Sequence, residues 1–153
     1  MKYKKRPHRA KRLVIKANEN NNYYPETGYL QVKVQDLLNN EPIKNALVRI
    51  SLITLTGLYN EYAEGNLIVD YRTDESGNIP ITRLQAYNEL NSEDKIYIIS
   101  IYADGYYSAY VFNVQIFPDT TTEYTANLSK TTSSEGEKFN FIIQPYRRNI
   151  IRM

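Results

Sequence analysis

Residues 28–34 read Gly-Tyr-Leu-Gln-Val-Lys-Val, and this short stretch decides the fold class. Its apolar residues Leu30, Val32 and Val34 alternate with polar residues, so an extended chain would carry one apolar and one polar face. A period of two residues is the pattern of a half-buried β-strand, because successive side chains of a strand point to opposite faces. The stretch therefore predicts a strand that covers one side of a core.

Further segments of the same kind follow, and turn-forming residues separate them. They span residues 48–53, 67–71, 79–84, 96–103, 106–117 and 124–128. Asp104-Gly105 is expected to join two of them as a hairpin. The pattern predicts an all-β, antiparallel two-sheet sandwich over residues 28–130. Its predicted core contains Val32, Val48, Ile50, Leu52, Val69, Ile98, Phe112, Val114 and Leu128. Two shared faces are also expected, one formed by Leu67, Val69 and Tyr71 and the other by Tyr110, Phe112, Val114 and Ile116.

The composition excludes much of enzyme chemistry. The chain has no Cys and a single His, His8, which lies in a basic segment. Disulfides, thiolate metal sites and cysteine nucleophiles are therefore excluded, and the sequence predicts no catalytic residue, no metal ligand and no cofactor. Pairs of Asp and Glu residues stay open as an alternative, because sequence does not give their distances.

Charge divides the chain into two basic ends and an acidic body. Residues 1–16 hold eight Lys or Arg and no acid, and residues 147–153 hold three Arg. The residues between carry all 17 acids and eight bases, a net charge of −9. We predict a basic N-terminal arm (1–27), the sandwich (28–130), and a linker with a basic C-terminal arm and one strand (131–153).

The arms are predicted to hold copies of the chain together. Leu13-Val14-Ile15 is a β-prone string inside the basic segment, and it could add to an open sheet edge of another copy. Residues 140–151 offer a weaker version of the same arrangement. The predicted assembly residues are Lys5, Arg6, Arg9, Lys11, Arg12, Leu13, Val14, Ile15, Phe139, Phe141, Arg147 and Arg148. A solvated arm is the main alternative, and nucleic acid is a disfavoured partner because the basic arm from Lys2 to Arg12 has no base-reading aromatic residue beyond Tyr3.

The sequence shows neither a secretion signal nor a membrane-spanning segment. Leu13-Val14-Ile15 is far shorter than the roughly 7 to 15 apolar residues of a secretion signal, and no apolar run is long enough to span a bilayer. We expect synthesis in the cytoplasm without membrane insertion, followed by incorporation into a surface structure.

Five segments resemble, in order and spacing, the carboxypeptidase regulatory-like domain, a transthyretin-like β-sandwich. They are residues 28–34, 42–48, 73–78, 103–107 and 113–117. The resemblance covers residues 28–130 and implies a scaffold that supplies no catalytic residue. The chain is similar to small members of this family in Firmicutes, which look like surface or spore-associated proteins.

Two patterns raise specific chemistry and are given a structural interpretation. Asp74, Ser76 and Asn78 could begin a calcium loop, but Gln85 stands at the twelfth position, where a bidentate Glu is needed, so we predict a plain turn. Lys33 could form an isopeptide crosslink with Asn127 or Asn140. Alternation places all three side chains on solvent-facing sides of their strands, which disfavours the crosslink.

Tyrosines in or beside predicted loops give the second functional hypothesis. Tyr59, Tyr62, Tyr106 and Tyr107 could stack on sugars or anchor a protein, although sheet cover is the simpler role of each one. The sequence favours a non-catalytic structural subunit of a spore layer, an appendage or a virion, with the chain itself as partner. Other surface proteins or a cell-wall polymer are further partners, and a cell-wall glycan-binding module is the alternative function.

Overall fold

The computed structural model describes residues 26–57, 62–87, 90, 94–132 and 140–143. These residues form two sheets that enclose one core, so the predicted all-β, two-sheet sandwich is confirmed. The strands are β1 (Thr27–Asp36), β2 (Leu47–Thr56), β3 (Tyr62–Arg72), β4 (Thr82–Gln85), β5 (Lys95–Tyr102), β6 (Ala109–Val114), β7 (Thr121–Leu128) and β8 (Asn140–Ile143). The three-stranded sheet has the order β4-β1-β7, and the five-stranded sheet has the order β3-β2-β5-β6-β8.

Strand direction differs from the prediction at two places. The pairs β1–β7 and β6–β8 are parallel, whereas the other described pairs are antiparallel, including the predicted β5–β6 hairpin. The expectation of purely antiparallel sheets is therefore wrong for those two pairs. The reason is connectivity: a hairpin joins neither pair, because β7 follows β6 but lies in the other sheet beside β1, and β8 returns to β6 only after β7.

The core lies between the two sheets and matches most of the prediction. Leu30, Val32 and Val34 of β1 are fully buried, as the alternation in residues 28–34 predicts. Of the nine predicted core residues, Val32, Val48, Ile50, Val114 and Leu128 are buried. The other four, Leu52, Val69, Ile98 and Phe112, are half-buried. Burial of this apolar surface is the main source of stability, at about 25 cal/mol per Å² removed from water.

A β-bulge in β6 explains the error at Phe112. Tyr97 pairs with Val114 and Ile98 with Phe112, so Asn113 is the extra residue. It is buried and adopts a φ of 57°, a left-handed conformation that Asn tolerates better than most residues. The bulge changes which face points inward, so Ala109 and Val111 enter the core before it and Val114 after it. The predicted face that joined Tyr110 and Phe112 to Val114 is therefore wrong.

The β2–β3 pair contains a second irregularity. Ile50 pairs with Val69 and Ser51 with Leu67, which leaves Ile68 as the extra residue of β3. Val69 and Tyr71 pack against the core, whereas Leu67 is exposed. The predicted face of Leu67, Val69 and Tyr71 is thus broken at the bulge.

Two close contacts tie the sheets together at one end. The hydroxyl of Tyr97 in β5 donates to the carbonyl of Gln85 in β4 at 3.2 Å, and burial raises the pKa of Tyr97 to about 12. At Gly28 in β1 a methyl group would lie 2.1 Å from the carbonyl oxygen of Phe117. Only glycine lets the segment after β6 approach β1 this closely.

Candidate functional site

The outer edge of β3 is the longest sheet edge that the described chain leaves open. β3 has eleven residues and is the terminal strand of the five-stranded sheet. Among the described residues it pairs with β2 alone. Backbone N–H and C=O groups on the far side of such a strand form a template on which another strand can add.

Side chains on β3 expose apolar surface on both faces of the strand. Residues 62–68, here called the distal half of β3, are all exposed. Tyr62 is 67% exposed, Leu67 is 56% exposed and Ile68 is 42% exposed. Gly65 leaves room for its cross-strand neighbour, since a methyl group there would lie 3.0 Å from Cδ1 of Ile53. An added strand would therefore find apolar neighbours on either side of the sheet.

Polar contacts hold the other half of β3 in place. Nε of Arg49 donates to Oδ1 of Asp70 at 2.9 Å, and Nη2 donates to Oδ2 at 3.0 Å. The hydrogen bonds from Arg49 lower the pKa of Asp70. Nη1 of Arg72 donates to the carbonyl of Asn45 at 3.0 Å. Residues 70 and 72 of β3 are thus fixed to the sandwich on the inner side of the strand.

The remaining sheet edges are shorter or partly covered. β4 and β8 have four residues each. β7 has eight, but loops are hydrogen bonded near both of its ends: the N–H of Tyr107 donates to the carbonyl of Ser129 at 2.9 Å, and Oγ1 of Thr122 donates to the carbonyl of Gln115 at 3.1 Å. One face of β7 also packs on the core through Tyr124, Ala126 and Leu128. Of the edge strands in the described ranges, β3 alone therefore combines a long open edge with exposed side chains on both faces.

A buried carboxylate at the opposite end of the sandwich was not predicted from the sequence. The side chain of Asp36 is 4% exposed. Its Oδ1 accepts the N–H of Leu38 at 2.8 Å, and its Oδ2 accepts the hydroxyl of Tyr106 at 3.1 Å and lies 3.3 Å from Nζ of Lys130. The backbone hydrogen bond from Leu38 is the largest cause of a lowered pKa at Asp36, although burial opposes it. A signal was present, because Asp36 continues the inward positions 30, 32 and 34.

This cluster is arranged for an ion pair and not for covalent chemistry. An isopeptide crosslink needs a neutral amine, whereas Lys130 is 59% exposed and its pKa is raised by the hydrogen bond with Asp36. The candidate crosslink pair Lys33 and Asn127, which the sequence disfavours, does not meet either. Lys33 pairs with Thr125 across β1 and β7, and Oδ1 of Asn127 accepts a hydrogen bond from Gln35 at 2.9 Å. The side chain of Asn140 lies outside the described residues.

The Asp74 segment is a turn. Oδ1 of Asp74 accepts the N–H groups of Ser76 at 2.8 Å and Asn78 at 2.9 Å, and Gly77 has a φ of 76°. The carboxylate therefore caps the turn with its own backbone. Within the described ranges, no group of three His, Cys, Asp or Glu side chains is placed to hold a metal ion.

The predicted tyrosine surface is not brought together. Tyr62 begins β3 opposite Thr56, at one end of the five-stranded sheet. Tyr106 and Tyr107 follow β5 at the other end, where the hydroxyl of Tyr106 bonds Asp36. Tyr59 lies outside the described residues.

Most of the predicted assembly residues also lie outside the described part of the chain: Lys5, Arg6, Arg9, Lys11, Arg12, Leu13, Val14, Ile15, Phe139, Arg147 and Arg148. Phe141 lies in β8, in register with Tyr110 of β6. Residues 140–143 thus form the strand expected within residues 131–153, and this strand pairs with the chain's own five-stranded sheet. Across the ranges given above, no helix is long and apolar enough to cross a bilayer.

Comparison with known proteins finds distant likenesses of fold. No protein-family profile matches the chain, and no curated protein sequence matches it. The shaft pilin SpaA from Lactobacillus rhamnosus GG is 15% identical, with 71% of this chain and 48% of the pilin covered and a TM-score of 0.47. The 3-chlorocatechol 1,2-dioxygenase from Rhodococcus opacus 1CP is 14% identical, with 72% and 62% covered and a TM-score of 0.45. The chain spans about half the length of the pilin, and likenesses this distant identify neither a family nor a function.

Proposed function

We propose that this chain is a non-catalytic structural subunit of a larger surface assembly, such as a spore layer, an appendage or a virion, and that its arms join it to neighbouring copies. The observation that carries the proposal is the open edge of β3, eleven residues long, with Leu67 and Ile68 exposed beside it. A long edge with apolar side chains invites pairing with another chain, which natural monomers avoid by shortening or covering such edges.

Charge supports association between copies. The first 16 residues carry eight positive charges, whereas residues 17–146 carry a net charge of −9. Attraction between an arm and another body would guide the encounter and orient it, while strand pairing would provide the lasting contact. A segment as basic as this buries too little apolar surface to fold alone, so its order would come from binding.

The geometry of the described polar groups supports a scaffold role. The buried carboxylate of Asp36 is occupied by two backbone N–H groups, a phenol and an ammonium group. Asp70 is held by Arg49, and Asp74 caps its own turn. The hydrogen bonds and ion pairs of these three carboxylates therefore stabilise loops, strands and turns of the sandwich. The carboxypeptidase regulatory-like assignment remains part of this proposal and implies the same role.

Sedimentation velocity and negative-stain microscopy of the full chain test the proposal. We expect large, regular particles whose size distribution grows with concentration. Deletion of residues 1–17 should leave the circular dichroism of the sandwich unchanged and abolish these particles. If the truncated chain assembles like the full chain, the N-terminal arm does not join the subunits.

A cavity beside β5 favours glycan binding as a second candidate function. It has a volume of about 210 Å³, and its lining includes Tyr102, Arg72 and Asp104. An aromatic ring beside charged hydrogen-bonding groups suits a single sugar ring. Retention on purified peptidoglycan, lost in Tyr102→Ala and kept in Tyr62→Ala, would favour this function over assembly.

A further inference from the structure

We infer that the arm of one copy adds as a strand to the distal half of β3 in a second copy, with residues 12–17 as the occupant. The inference rests on the proposed function and names the acceptor of the arm. It concerns residues 62–68, the stretch of the described chain in which an open edge and two exposed faces coincide.

Apolar residues in the arm match the two exposed faces. Leu13, Val14 and Ile15 are consecutive, so in a strand the outer two point to one face and Val14 to the other. A strand that is apolar on both faces buries most apolar surface beside an edge that offers apolar side chains on both faces. The distal half of β3 is exposed throughout, and the unbroken register from Tyr62–Thr56 to Leu67–Ser51 places the exposed Tyr62 on one face and the exposed Leu67 on the other.

Length and charge fit the same half of the strand. Residues 12–17 span at most about 20 Å when extended, and the seven residues of the distal half span roughly 23 Å. The distal half carries the exposed Glu64. The rest of β3, residues 69–72, contains Arg72 and lies beside Arg49, which is paired with Asp70. A basic arm is therefore attracted to the distal half and repelled by the rest of the strand.

Two full-length variants separate the acceptor from the donor. Leu67→Lys with Ile68→Lys places positive charge on the proposed acceptor edge at side chains that are already exposed. Leu38→Lys with Ile81→Lys is its matched control, since it changes the same residue types at exposed positions away from β3. We expect the first variant to lose the large particles, at least a tenfold fall in assembled fraction, and the control to keep them.

Val14→Pro removes a backbone donor from the arm. Asn20→Pro is its control, because it makes the same change in the arm but outside residues 12–17. Val14→Pro should also lose the particles, while Asn20→Pro should keep them. The decisive sample is the mixture of Val14→Pro with the Leu67→Lys, Ile68→Lys chain. One retains the acceptor edge and the other retains the arm, so we expect a 1:1 heterodimer that grows no further.

The outcomes are distinguishable. If the unmodified chain forms no assembly, the proposed function fails and this inference fails with it. If the unmodified chain assembles but the Leu67→Lys, Ile68→Lys chain assembles equally well, β3 is not the acceptor and the proposed function stands. Absence of the heterodimer, with both variants monomeric and the unmodified chain assembled, overturns the claim that the arm of one copy pairs with β3 of a second copy. Should the double variant not fold, Leu67→Lys alone carries the same test.

Discussion

The guanidinium of Arg49 binds the carboxylate of Asp70 through two hydrogen bonds of 2.9 and 3.0 Å, and this fork fastens the edge strand β3 to its neighbour β2. An edge can accept a further strand with little loss of entropy only if it is itself held in place. The fork lies outside the distal half, so it steadies the edge without occupying it.

Removal of this fork should loosen β3 with little effect on global stability. In Asp70→Asn the charge of the acceptor is lost, and exposed ion pairs contribute little to the free energy of unfolding. We expect faster hydrogen exchange at the amides of residues 69–72 and a nearly unchanged melting temperature. Glu64→Gln is the control, and equal exchange in both variants would contradict a fastening role for Asp70.

Neighbouring isoleucines in β5 test the register of the core. Ile99 is fully buried, whereas Ile98 is half-buried on the outer face of the sheet. Ile99→Ala should lower the free energy of unfolding by about 2–5 kcal/mol, because it deletes packed core atoms and leaves a cavity. Ile98→Ala should cost clearly less. Urea denaturation of both variants checks this, and a larger loss at Ile98 would reverse the assigned faces.

The bulge at Asn113 is expected to depend on a residue that tolerates positive φ. Val there would hold a left-handed conformation, which costs about 1–2 kcal/mol for ordinary L-residues and more for a β-branched one. Asn113→Val should therefore destabilise the sandwich more than Asn113→Gly does. The same denaturation measurement decides, and equal losses would argue against backbone strain as the cause.

Acid should weaken the Asp36 cluster. The pKa of Asp36 is lowered from its ordinary value of 3.8, so its contribution to stability is present above that pH and is lost as the pH falls through the lowered folded-state pKa. Melting temperature followed from pH 7 to pH 2 should thus fall less steeply in Asp36→Asn than in the unmodified chain. An unchanged slope would mean that the contacts of Asp36, the hydrogen bond from Leu38 first and those with Lys130 and Tyr106 after it, do not stabilise the folded state.

Local pattern was sufficient for strands whose inward residues keep a strict period of two. The opening stretch of β1 is the clearest case, because Leu30, Val32 and Val34 are all fully buried. Asn113 and Ile68 show where this reasoning fails. One extra residue in a strand changes the inward face while leaving its composition unchanged, and only the partner strand reveals it.

Neither the Asp36 cluster nor the open edge of β3 could be predicted from the sequence, because both depend on which distant strands and loops lie side by side. Tyr106 and Lys130 meet Asp36 across the closed end of the sandwich, and β7 lies beside β1 through a parallel crossover. Likewise, the basic arm was visible as a run of charge, but its proposed acceptor required knowing that β3 is an edge strand. Edge position is a property of strand order, which the alternation of side chains leaves open.

The most direct test uses the absence of cysteine from the chain. Val14→Cys is made in one sample and Leu67→Cys in another, and the two are mixed under mild oxidation. We predict a disulfide-linked heterodimer as the main product, and little crosslink between Val14→Cys and Ile81→Cys. Equal crosslinking to both positions, or none to Leu67→Cys while particles still form, would contradict the claim that the arm of one copy occupies the β3 edge of the next.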